Sequence, residues 1–239
     1  MRRVVVALAA ALLAAGGASA HDLVGAKRAE HYLLQAGKWQ AIAASALPAG
    51  ERAEALYRIG VMLDEIRELL NRDLAAHGHV RGLMSSHLVD ELQRRGLPLA
   101  WSEKRRRFSA NTRYFEQALG LAPAGPRAAD AGLRLLRGRF HDGFDADPLA
   151  ADEGWPQLAE LVALATDLAR REFQGETREE VDFMVAVLHA RAALHAPDAA
   201  MRHRHGTLAR EAIARFGARH SDSLRSAMMP VLREALGSD

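Results

Sequence analysis

The chain has 239 residues, with 32 lysines and arginines against 30 aspartates and glutamates, a formal net charge of +2, and no cysteine. The missing cysteine excludes disulfide stapling, a lipid anchor attached through a cysteine at a cleavage site, a C-x-x-C-H haem attachment and any cysteine nucleophile. The near balance of charge removes the electrostatic footprint of a globally basic binder of nucleic acid.

Residues 1–20, MRRVVVALAAALLAAGGASA, have the layout of a secretory signal peptide. Arg2 and Arg3 make a positive start, residues 4–15 an apolar run, and Ala18-Ser19-Ala20 a small-residue cleavage site. Cleavage there gives a mature chain beginning His21-Asp22, periplasmic or secreted from a bacterium. The arginine pair sits at the extreme N-terminus without the residues that usually follow a twin-arginine signal, which favours Sec over Tat export. Cleavage removes two bases and no acid, leaving 30 of each. No second long apolar run follows, so no transmembrane segment is expected after it.

Strong helix formers dominate the rest. Over 51–76, Leu56, Ile59, Leu63, Ile66 and Leu70 repeat at helical spacing and make one apolar stripe. Gly78 and Gly82 break the chain, and a helix over 83–95 stops before Gly96 and Pro98. Ser102 is expected to cap the next helix, carrying Phe108, Phe115 and Leu119 on one face. The longest irregular stretch, 141–154, is expected to separate a helical half at 21–140 from another at 155–239, within one domain. Leu158, Leu161, Val162, Ala165 and Leu168 form the next stripe, ended by Gly175. Thr177 and Glu180 fit a capping box for a helix reaching 196. That helix is apolar nearly all round, as a central buried helix is. Pro197 ends it, Asp198 is placed to cap its successor, and Pro230 should kink a last helix over 223–236. The count is nine or ten helices, an all-α fold arranged as a bundle or as stacked helical hairpins in a right-handed superhelix.

Phe115, Ala118, Leu119, Leu121 and Pro123 in YFEQALGLAP have the spacing of an aromatic, a small residue and a helix-ending proline. This resembles the end of a tetratricopeptide repeat, over one helix and turn. Asn111 stands where that family has a second small residue, and a shift of about thirty-four residues gives no second copy. The resemblance implies protein or peptide binding on a concave face and no catalysis.

Histidines raise a metal reading. The mature N-terminus, His21, offers an amine and an imidazole to copper, and His77-Gly78-His79 lies at a helix end where copper or zinc chelation is geometrically possible. His203 and His205 point about 200° apart on one helix and chelate jointly only if the helix breaks, as Gly206 would allow, and His189 and His195 lie about 120° apart and do not form a pair. His205 shares a face with Met201 and Leu208. Asp142, Asp145, Asp147, Asp152 and Glu153 crowd 141–154 without the EF-hand pattern. Charge is also uneven: residues 101–140 sum to +6 and residues 142–182 to −9. The two segments neutralise each other, or are solvated helix faces, or leave a basic patch with Arg105, Arg106, Arg134 and Arg137 as its partner-binding residues. Four consecutive bases, Lys104 to Arg107, would wrap around a helix rather than share one side. No serine nucleophile motif, phosphate loop, H-E-x-x-H or helical E-x-x-H is present, and no catalytic or cofactor-binding residue is assigned. The function expected is therefore that of an exported soluble binding or adaptor module of the cell envelope. Its partner would be a protein, a peptide or an anionic envelope component, and not a nucleic acid. The alternative is a copper- or zinc-binding protein, or a metal-dependent enzyme, using His21 and helix-borne histidines.

Overall fold

A computed structural model describes residues 20–77, 83–103, 105–144, 149 and 154–237. Among them are nine α-helices: α1 (Ala20–Ala43), α2 (Ala49–His77), α3 (Leu83–Arg94), α4 (Arg113–Leu121), α5 (Ala128–Phe144), α6 (Trp155–Ala169), α7 (Gly175–His195), α8 (Ala199–Arg219) and α9 (Met228–Ala235). A two-stranded ribbon, β1 (Trp101–Ser102) with β2 (Arg107–Phe108), and a 3₁₀ turn at Leu224–Ala227 complete them. The fold is an all-α helical bundle. No helix of the described residues is long and apolar enough to cross a membrane.

The chain divides into two compact units, Met1–Tyr114 and Phe115–Asp239. This boundary lies before the stretch at 141–154 that the sequence singled out. Helix α5 runs on to Phe144 and packs against α6, so it belongs to the second unit.

In the first unit the expected stripe of α2 forms the core. Ile59, Leu63, Ile66 and Leu70 are buried, with Tyr32 and Ala36 of α1 and Leu88 and Leu92 of α3. Arg95 ties the ends together: its guanidinium donates to the Leu33 carbonyl at 2.7 Å, and Gln40 Nε2 donates to the Arg95 carbonyl at 2.7 Å. The helix expected from Ser102 is absent. Instead β1 and β2 pair as an antiparallel ribbon, with Trp101 opposite Phe108 and Ser102 opposite Arg107. The pairing buries Phe108 against α2 and sets the Trp101 and Phe108 rings edge to face at 5.1 Å. Helix α4 starts only at Arg113, so Asn111 precedes it; Phe115 and Ala118 are buried, and the helix stops at Leu121 before Pro123.

In the second unit α7 is central. Every residue from Glu180 to Ala192 is buried, with α6, α8 and α9 packed on it. The expected capping box is not used: α7 starts at Gly175, and Glu180 is taken by Arg137. Asp198 does cap α8, accepting from the Met201 amide at 2.7 Å. The kinked last helix is instead the 3₁₀ turn, capped by Ser223, followed by α9. Pro230 is the third residue of α9, in the first turn, where its missing N–H breaks no helical bond.

Candidate anion-binding pocket

The C-terminal half of α2 presents Arg67, Glu68, Asn71, Arg72, Leu74 and Ala75 at three- and four-residue spacing, hence along one side of the helix. The ribbon is fixed to that side by a single residue. Asn71 Nδ2 donates to the Phe108 carbonyl at 2.8 Å, and Asn71 Oδ1 accepts from the Phe108 amide at 2.8 Å. The carboxamide thus satisfies both backbone groups of Phe108, as a neighbouring strand does. Between helix and ribbon lies a cavity of about 810 Å³, lined by these α2 residues and by Trp101, Arg105, Arg106 and Arg107.

Five arginines line one concave space, and Glu68 is the single acidic residue among the described lining residues. Arg67 is held by Asp64 and Glu68, each at 3.5 Å. Arg72 and Arg106 are exposed and have no carboxylate partner among the described residues. Gathered cations repel one another, and an anion entering the space relieves that repulsion while taking forked N–H donors that match phosphate or carboxylate oxygens. Arg106 has φ +49°, in the left-handed region that costs a side-chain-bearing residue about 1 kcal/mol or more. Glycine or asparagine would close the same turn without that cost.

Arg105 and Arg106, read from the sequence as partner-binding, therefore lie on one pocket. The objection that consecutive bases wrap around a helix lapses for Arg105 and Arg106, which sit in a turn rather than a helix. Arg134 and Arg137 lie elsewhere, on α5 in the second unit. Arg134 pairs with Asp130 at 3.1 Å. Arg137 holds the buried Glu180 in a two-pronged ion pair, Nε at 2.8 Å to one oxygen and Nη2 on the other. Arg139 reaches Glu116 at 2.8 Å and Glu160 at 3.3 Å. Arg137 and Arg139 thus couple the basic segment to the acidic one inside the second unit. Arg67, Asn71, Arg72 and Trp101 were not singled out by sequence. The available signal was the i, i+4 spacing of Arg67 with Asn71 and of Glu68 with Arg72, on the polar side of α2 around the end of the apolar stripe.

Of the metal candidates, His79 lies outside the described residues, and so do the side chains of His21 and His77, whose backbones belong to α1 and α2. Asp145, Asp147, Asp152 and Glu153 also lie outside them. Among the described residues, no three histidines or carboxylates gather as metal ligands do. Two histidines do meet, on neighbouring helices rather than on one: His189 Nδ1 of α7 lies 3.1 Å from His205 Nδ1 of α8. Thr166 Oγ1 donates to the Val162 carbonyl at 2.7 Å, so it accepts from His189 Nε2 at 3.4 Å and leaves His189 Nδ1 as acceptor of the His205 proton. The ring centroids are 5.3 Å apart, the separation of two imidazoles aimed head-on along an N–H···N bond. Burial first, then His205, Arg215 and Arg204, push His189 down to about 4; burial and Arg204 also lower His205. The pair is neutral at pH 7.

His195 Nε2 lies 2.8 Å from the Leu149 carbonyl, a hydrogen-bonded place rather than a ligand's. His220 meets the buried Asp182 at 3.1 Å, and Arg178 holds the same carboxylate at 3.0 Å.

No family model matches the chain, and comparison with curated proteins and with solved structures gives no match either.

Proposed function

We propose that this chain is an exported helical binding module that takes the phosphate or carboxylate of an anionic partner in the arginine-lined pocket of its first unit. The observation that carries the reading is the convergence of arginines from two elements, α2 and the ribbon turn, on one cavity, with Arg72 and Arg106 free of carboxylate partners among the described residues. The left-handed Arg106 supports it, since local stability at that turn is spent to hold a guanidinium. The cavity volume, about 810 Å³, is in the range of small-molecule sites. Residues 1–20 support export, and protein recovered from outside the cytoplasm should begin at His21 by mass spectrometry.

Calorimetric titration with inorganic pyrophosphate tests the reading. The expected result is saturable one-site binding that weakens steeply from about 0.05 M to about 0.5 M salt, as screening shortens. Arg72→Gln and Arg106→Gly should each weaken it by about tenfold or more. Arg106→Gly should leave stability within about 1 kcal/mol, because relief of the left-handed strain opposes the added freedom of the unfolded chain. Equal affinity in wild type and both variants overturns the reading. Phosphatidylglycerol vesicles give the second arm. Vesicle binding displaced by pyrophosphate identifies a lipid headgroup as the source of the phosphate; pyrophosphate binding without vesicle binding identifies a free ligand.

A further inference from the structure

The pocket has one wall that charge does not explain. Trp101 lines it and remains 40% exposed, although it begins a strand whose partner, Phe108, is buried. An indole left half in water at the side of a cavity is an unfilled apolar surface. Its orientation is set twice. Trp101 is registered opposite Phe108, whose ring meets it edge to face at 5.1 Å and 72°. Phe108 in turn is clamped through both backbone groups to Asn71 of α2. The indole is therefore a platform held in place rather than a side chain swinging at a loop tip. Arg105, Arg106 and Arg107 follow within the same ribbon, and Arg72 faces the same cavity from α2. Guanidinium groups recognise an oxyanion through forked N–H donors, whereas an indole wall gives a flat ring a stacking partner and gives an oxyanion nothing.

Resting on the anion-binding reading above, we infer that the ligand is a phosphate monoester carrying a flat aromatic ring, with the phosphate on Arg72 and Arg106 and the ring stacked on Trp101. A bare phosphate or an acidic peptide without an aromatic group leaves that wall in water. A ligand of two parts uses both kinds of surface, and stacking on one aromatic side chain is worth about tenfold or more in affinity.

The test uses the full mature chain, with adenosine 5′-monophosphate as the probe bearing a ring and ribose 5-phosphate as the same ester without one. Dissociation constants are measured by calorimetry for wild type, Trp101→Leu and Trp101→Phe. The expected result is a preference for the adenosine compound of about tenfold or more in wild type, lost in Trp101→Leu while ribose 5-phosphate affinity is kept, and partly retained in Trp101→Phe. Equal affinities for the two esters in wild type overturn the ring inference and leave the anion-binding reading standing. Failure of both esters and of pyrophosphate overturns both. A preference that persists in Trp101→Leu places the ring elsewhere and overturns the inference. If Trp101→Leu loses both esters, the ribbon itself has come apart, and Trp101→Phe, which keeps an aromatic ring opposite Phe108, decides: a preference retained there supports the stack, and a preference lost there overturns it.

Discussion

Replacing His189 with phenylalanine isolates what the imidazole pair does to the pH dependence of folding. In the unfolded chain this histidine binds a proton near the ordinary value of 6.5; in the folded chain it resists one down to about 4, because it is buried between α6, α7 and α8 and faces His205, Arg215 and Arg204. Between those limits the unfolded state holds more protons than the folded state, so acid favours unfolding. The His189 contribution is fully present above pH 6.5, falls as the pH drops through that window and changes no further below about 4, a difference of about 3 kcal/mol. At pH 7 the variant should lose about 1 kcal/mol, since the hydrogen bonds to His205 and Thr166 go while the volume is kept. Urea denaturation at pH 7, 5.5 and 4 measures this. Wild type should lose about 3 kcal/mol more than the variant on acidification, so the order of stability reverses by pH 4. The comparison with the variant cancels the contribution of every ionisable group that the two proteins share. Parallel pH profiles for the two proteins would show that His189 is not held neutral in the folded state and would refute the packing described for the pair.

Three further outcomes follow from the ion pairs, the clamp and the core. Arg137→Ala strands the buried carboxylate of Glu180, and urea denaturation should show a loss of about 1–2 kcal/mol, discounted because the arginine is itself 37% exposed; pyrophosphate affinity in the first unit should not change. Asn71→Ala removes both hydrogen bonds that hold Phe108, and should destabilise the first unit by about 2 kcal/mol and weaken pyrophosphate binding with it; a variant that binds as wild type would show that the ribbon holds without the clamp. Leu188→Asp puts an unpaired charge at a wholly buried position of α7, and a thermal melt should fall by an amount equivalent to about 3 kcal/mol or more.

The helical fold was legible because its signals are local. The stripe Ile59, Leu63, Ile66 and Leu70 and the all-round apolar run of α7 each require only helical periodicity, and both are buried as that periodicity requires. The Asp198 cap is local too. The ribbon was not legible, because its strands are two residues each and their stability comes from Asn71, 37 residues away. Ser102 followed by basic residues and Phe108 reads as a capped helix until that partner is known. The histidine pair escaped for a related reason. Angular spacing on one helix rightly separates His189 from His195 and His203 from His205, and says nothing of a contact between α7 and α8 across a tight connection. The +6 segment resolved into two roles that charge counting cannot distinguish: Arg105 and Arg106 on a cavity wall, Arg137 and Arg139 in pairs with Glu180 and Glu160.

The central claim is that particular guanidinium groups, not surface charge in general, take the anion. Side-chain Nε–Hε spectra of nitrogen-labelled arginine, recorded during a pyrophosphate titration of the full chain, report each group separately. The Arg72 and Arg106 resonances should shift together and saturate with one dissociation constant, while those of Arg137 and Arg139, already held by carboxylates, stay in place. A small drift shared by all the arginines and linear in added anion would contradict the account.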